Sequence, residues 1–231
     1  MGGVLRQVED FSDERNKGFC VHCGGLYETD DHMPSKVFLD RPFPDNLPVS
    51  PACAKCNEGF SSDEEYLACL LECVLADSAD PDRIERANIA KKLREQPGLR
   101  KRLESARRIE AGKGLWDVEI DRVRRVVVKL SRGHVAFEGS EPKLDEPAAV
   151  NVLALETMTE QARQAFEYVA DRPQVWPEVG SRAMSRLLVA GGEVFDAGWE
   201  DVQPGRYRYR VDEDRVRIVI REYLAAEVRW T

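Results

Sequence analysis

The chain has no run of about 18 consecutive apolar residues, so no membrane-spanning helix is expected among its 231 residues. Its opening stretch, MGGVLRQVEDFSDERNK, lacks the apolar segment of a secretory leader, and a cytosolic protein is the expectation. No internal repeat and no low-complexity tract is visible, which excludes a repeat architecture. An excess of basic charge is also missing: 34 Lys and Arg against 42 Asp and Glu give a net charge of −8, an awkward balance for a protein that binds nucleic acid. Nor do the six cysteines suggest a disulfide framework, because four of them sit in Cys-x-x-Cys pairs with metal-ligand spacing, which suits a reducing compartment. With 42% hydrophobic and 33% charged residues, the chain has enough apolar material for a core and enough charge to stay in solution.

The charge is unevenly spread. Residues 1–75 carry 6 Lys and Arg against 14 Asp and Glu, residues 76–140 carry 16 against 11, and residues 141–231 carry 12 against 17. Basic charge therefore concentrates in the middle third, which also reads as helical. Three regions are expected on this basis, at 1–75, 76–140 and 141–231.

The N-terminal region is organised around Cys20/Cys23 and Cys53/Cys56. Two such pairs supply four thiolates, the donor set of a closed tetrahedral structural Zn2+ site. His22 lies inside the first pair, but four cysteines already complete the tetrahedron. Within that frame, Asp31 and His32 followed by Asn46 and Asn57 have the chemistry of a one-metal nuclease centre. Taken together, these residues resemble the HNH endonuclease family in the zinc-stapled form of the ββα-metal fold. The resemblance covers about a quarter of the chain.

Hydrolysing a phosphodiester needs an activated water, stabilisation of the developing charge and help for the leaving oxygen. A histidine with a near-neutral pKa can take a proton from water, and a hard divalent cation can act as Lewis acid on oxygen. The resemblance implies His32 as general base, with Asp31 and Asn57 as ligands of Mg2+ or Mn2+. It implies Asn46 as a brace that holds the loop and His32 in position. Asn57 stands where many members have histidine.

Local signals place these motifs on elements. Leu26 to Asp31 reads as a strand ending at His32, prolines at 34, 42 and 44 make residues 33–45 a loop, and Leu47-Pro48-Val49 reads as a short edge strand. Ser62 with Glu65 fits a capping box and predicts a helix start, with Tyr66, Leu67, Leu70, Leu71, Val74 and Leu75 as its apolar arc. Cys69 and Cys73 on that helix are core residues or a second metal site. Further helices are expected over Asp82–Arg94, around Leu99–Ala106 and over Trp116–Phe137. His134 lies on the apolar face of the last and reads as a hydrogen-bonded core residue.

Lys91, Lys92, Arg100, Lys101 and Arg102 offer a nucleic-acid-binding face, or else a solvated one laced with glutamates. In the C-terminal region, Thr159–Ala170 is expected to be a helix capped by Thr159. Beyond it the period changes to two, which predicts a hairpin in a small antiparallel sheet with Ser181–Val189. A two-residue turn at Asp212-Glu213 buries Tyr207, Tyr209, Val216 and Ile218 together. It also sets Arg210 opposite Arg215 and Arg208 opposite Arg217. Opposed like charges call for an anion against that face, whether nucleic acid, a phosphate ligand, an acidic segment or nearby Asp and Glu.

The expected fold class is thus α+β: an N-terminal zinc-bound ββα-metal module, a helical middle, and a C-terminal small antiparallel sheet with a helix. The expected activity is metal-dependent endonucleolytic cleavage of nucleic acid, DNA before RNA, with no membrane partner. A homo-oligomer or partner-protein contact through the C-terminal region is a further expectation. The alternative is a non-catalytic zinc-binding adaptor.

Overall fold

The computed structural model describes residues 18–44, 47–110, 113–169 and 198–230. The fold is α+β. Strand β1 (Thr29–His32) pairs antiparallel with β2 (Val49–Ala52), matching Thr29 to Ala52 and His32 to Val49. Pro51 costs β2 a ladder donor, and the pairing stays four residues long. Helix α1 (Ala54–Leu75) follows at once, nine residues earlier than a helix capped by Ser62 would begin. The cap is distant: the Glu28 carboxylate accepts from the Ala54 N–H at 2.8 Å. Tyr66, Leu67, Leu70 and Leu71 of the expected apolar arc are buried, Val74 is partly buried, and Leu75 at its end is exposed.

Helices α2 (Ala87–Glu95) and α3 (Pro97–Ala106) follow, with Pro97 at the first position of α3, where its missing N–H costs nothing. Arg107 and Arg108, expected on a helix, lie instead in β3 (Arg107–Glu110), which pairs with β4 (Lys113–Trp116). The hairpin takes in Trp116, where the next helix is expected to begin, and α4 runs Ile120–Gly139. On α4, Val123, Val127, Leu130 and His134 are all buried.

The C-terminal sheet contains β5 (Ala149–Ala154), β6 (Glu200–Gln203), β7 (Tyr207–Val211), β8 (Arg215–Ile220) and β9 (Leu224–Arg229). Its order is β5-β9-β8-β7-β6, antiparallel throughout. Helix α5 (Glu160–Glu167) is capped by Thr159, whose hydroxyl accepts from the Ala162 N–H. The expected strand at Ser181–Val189 lies outside the described residues.

Tyr207, Tyr209, Val216 and Ile218 are buried, so the pairing parity is as expected. The register differs by two: Arg210 faces Arg217, and Arg208 faces Val219. The hairpin closes one residue later, with the Asp212 N–H donating to the Arg215 carbonyl, because Asp212 is not a turn residue but a buried acid. It accepts from Arg210 and Arg217 at 2.8 Å each and from Arg215 at 3.2 Å. Arg217 is 1% exposed and also donates to the Phe166 and Tyr168 carbonyls. Arg208 is clamped by Glu167 and Glu222. The anions called for on the arginine face are thus acids of the chain itself, which corrects the assignment of Arg208 and Arg217 to nucleic-acid binding.

The chain divides into two compact units, which differ from the three expected regions. The described residues of Met1–Gly59 and Val127–Thr231 form one, and those of Phe60–Val126 form the other. In the first, His134 stacks on Tyr209 with ring centroids 3.7 Å apart, and its Nε2 lies 2.7 Å from the Tyr207 hydroxyl. This is the hydrogen-bonded core histidine expected from its place on the apolar face. In the second, Asp63 joins Arg122 (2.5 Å) and Arg125 (2.8 Å), and Arg122 lies over the Tyr66 ring. No helix of the described residues is long and apolar enough to cross a membrane.

Candidate metal centre

The first knuckle is shaped by its own backbone. Cys20 donates to the Gly25 carbonyl (2.7 Å), Gly24 donates to the Cys20 carbonyl (2.8 Å), and Gly24 has φ +72°, a left-handed angle that glycine adopts without strain. The knuckle docks on β2 through the Val21 N–H to the Pro51 carbonyl, 3.0 Å. The second knuckle opens α1, where helix-start N–H groups point at sulfur: the Cys56 N–H donates to Cys53 Sγ at 3.4 Å. The Gly25 N–H does the same for Cys23 Sγ.

These turns bring the sulfurs of Cys20, Cys23, Cys53 and Cys56 within 4.8 Å of one another. Cys23 and Cys53 are 3.8 Å apart. A tetrahedral ion with metal–sulfur bonds of about 2.3 Å has sulfur–sulfur edges of about 3.8 Å, so the donor set and its spacing fit such an ion. Cys20, Ala52 and Cys53 form a small buried cluster with Cys56 packed against it, while Cys23 lies on the exposed side of the site. Burial pushes the Cys20 and Cys56 thiols up, whereas the Cys56 N–H holds Cys53 down. Cys69 and Cys73 lie elsewhere on α1, fully buried, and burial pushes both thiols up to about 12. That is the behaviour of core residues.

Of the residues expected to form a nuclease centre, Asp31, His32 and Asn57 are among those described. His32 ends β1 and is half-buried; burial, then the nearby Lys36 ammonium, lowers its pKa below the usual histidine range. Asn57 lies in the first turn of α1, its N–H bonded to the Cys53 carbonyl. Asn46 lies outside the described residues.

Asp31, adjacent to His32 on the strand, is only 5% exposed. Lys129 Nζ of α4 lies 2.8 Å from both its carboxylate oxygens and 2.7 Å from Ser35 Oγ, and His22 Nε2 lies 3.1 Å from Oδ2. Burial works against the Asp31 charge, but His22 and Lys129 outweigh it and hold the carboxyl below its ordinary range. An ammonium already occupies the place a divalent cation would take on this carboxylate. The Asp31 arrangement therefore does not fit the Mg2+ or Mn2+ ligand role implied for it. Lys129 is a residue that sequence reasoning missed, since nothing local marks it among the bases of the middle third.

Those bases have partners of their own. Lys91 pairs with Glu95, Lys92 with Glu65, Arg100 with Asp80 and Arg102 with Glu119, while Lys101 is exposed. The face is laced with acids rather than uniformly basic.

Compared with known proteins, the chain matches no family model, no curated protein and no solved structure.

Proposed function

We propose that the chain is an endonuclease of HNH type, stapled by a structural Zn2+ on Cys20, Cys23, Cys53 and Cys56, with His32 as the general base. One observation supports the reading above all. The order strand, loop, strand, helix puts His32 at the end of β1, between the two cysteine pairs in the chain, and Asn57 in the first turn of α1, directly after the last of the four cysteines. In this role the His32 imidazole is neutral near pH 7 and takes a proton from the attacking water. The zinc supplies no chemistry to the substrate; it fixes the start of α1 against β2. Asp31 offers no free carboxylate to a second cation, because Lys129 already engages it.

A non-catalytic zinc-binding adaptor is the competing reading, and the engagement of Asp31 is the observation in its favour. Incubation of the protein with supercoiled plasmid and with labelled oligonucleotides, with and without added Mg2+ or Mn2+, separates the two. Cleavage that disappears in His32→Ala, with metal content and melting temperature unchanged, is the expected result. Equal cleavage by His32→Ala removes the base assignment, and no cleavage of any substrate leaves the adaptor.

A further inference from the structure

The loop that follows His32 has two sides. Met33, Phe38 and Leu39 are essentially buried and anchor it, while Lys36 and Arg41 are exposed. Both cations gather over one aromatic ring: Lys36 Nζ lies 5.9 Å and Arg41 Cζ 5.4 Å from the Phe43 centroid. Asp40, the acid of this loop among the described residues, is engaged elsewhere. Its carboxylate pairs with Arg206 at 2.6 Å. Its backbone is gripped on both sides by the Gln203 amide, which accepts from the Asp40 N–H (2.8 Å) and donates to the Asp40 carbonyl (3.1 Å). The C-terminal sheet thus holds the loop in one shape and neutralises its carboxylate, leaving two cations presented together four and nine residues after His32.

We infer that Lys36 and Arg41, gathered on Phe43, are the phosphate-binding surface that seats a nucleic-acid strand beside His32. The surface rests on the nuclease reading for its purpose, but not for its test. Two like charges brought to one ring repel each other, and an anion lying between them relieves that repulsion. The ring offers its negative face to both stems and keeps the two side chains from spreading into solvent. A polyanionic strand fits better than a single small anion, because the cations project from separate points of a loop rather than closing around a cavity. This places substrate binding on the loop of the cysteine-containing unit and not on the acid-laced helices of the middle region.

The test uses the full chain carrying His32→Ala, so that binding is read without cleavage, with fluorescently labelled 20-nucleotide single-stranded and duplex DNA. Lys36→Gln and Arg41→Gln are each expected to weaken binding several-fold by anisotropy. Each should also lower the slope of log affinity against log salt by about 0.7 to 0.9, the loss of one phosphate contact. Both side chains are exposed, so metal content and melting temperature should stay as in the parent.

Affinity and salt slope unchanged in the double variant overturn the inference, as does a parent that binds neither DNA. An equal loss in Lys91→Gln also overturns it, because the effect is then general charge. Displacement of the DNA by millimolar inorganic phosphate at constant ionic strength identifies a small-anion site instead and likewise overturns it. Failure of the two readings is distinguishable. Binding that depends on Lys36 and Arg41 in a protein that never cleaves keeps the surface and removes the nuclease. Cleavage with unaltered binding in the variants does the reverse.

Discussion

Lys129 and Asp31 stand 98 positions apart in the chain and 2.8 Å apart in the fold, with side chains 1% and 6% exposed. A buried pair of this kind contributes little net stability compared with apolar residues of the same shape, but breaking one side of it is costly. Lys129→Met and Asp31→Asn should each destabilise the protein, the first by about 3–5 kcal/mol, the usual cost of stranding a buried charge. Lys129→Met combined with Asp31→Asn should recover a large part of that. Urea unfolding of the two single variants and the double variant checks the coupling. Additive losses would mean the two side chains do not act as a pair.

The four-cysteine cluster predicts one bound metal ion per chain. Cys20→Ser or Cys53→Ser should abolish binding, whereas Cys69→Ala with Cys73→Ala should leave it intact, because the second pair is core. Elemental analysis of purified protein counts the ion. Chelation should lower the melting temperature of the wild type and not of the Cys53→Ser variant.

The Asp63 link gives a pH dependence with a definite sign. Burial works against the Asp63 charge, but Arg125 and Arg122 outweigh it and hold its pKa below the ordinary carboxylate value. A group depressed in the folded state adds stability above its unfolded pKa, near 3.9, and loses that contribution as pH falls through the folded value. Asp63→Asn should therefore cost roughly 2 kcal/mol at pH 7, as expected for lost charged hydrogen bonds. The gap to wild type should shrink as pH drops below about 4. Denaturant melts from pH 3 to 7 measure it, and a gap that widens toward acid would refute the assignment.

Gly133 in α4 approaches Met33 so closely that a Cβ there would overlap the thioether, and Met33 is 0% exposed. Alanine gains about 1 kcal/mol of helix propensity over glycine, while overpacking a filled core costs about 1–3 kcal/mol. With Met33 enclosed, the second effect should win. Gly133→Ala should lower the melting temperature, and Met33→Ala should cost less in the Gly133→Ala background than in the wild type, because the added methyl fills part of the space that Met33 leaves.

What the sequence made legible was local. Cys-x-x-Cys spacing marked the cluster, alternation marked β7 and β8 with the correct parity, and Thr159 marked the start of α5. What it hid was set at a distance. The start of α1 is capped by Glu28, 26 residues upstream, while Ser62 and Glu65, which looked like a local cap, lie mid-helix; Glu65 accepts from Gln96 and the Ser62 carbonyl from Arg122. The hairpin register depended on three arginines sharing Asp212; all four residues lie within 210–217, but their convergence appears only once the strands are paired. The hairpin of β3 and β4 was masked because Arg107 and Arg108 continue a basic run that suits a helix equally well. Asp31 could be read as a metal ligand because its partner, Lys129, lies far along the chain.

The unit that holds the cysteine cluster is drawn from two separate stretches of chain. A fragment ending at Leu75 would keep every motif that the N-terminal region advertises. It would lack Lys129 for Asp31 and both Gln203 and Arg206 for the loop after His32. The cysteine module therefore cannot be lifted out of the chain by a single cut.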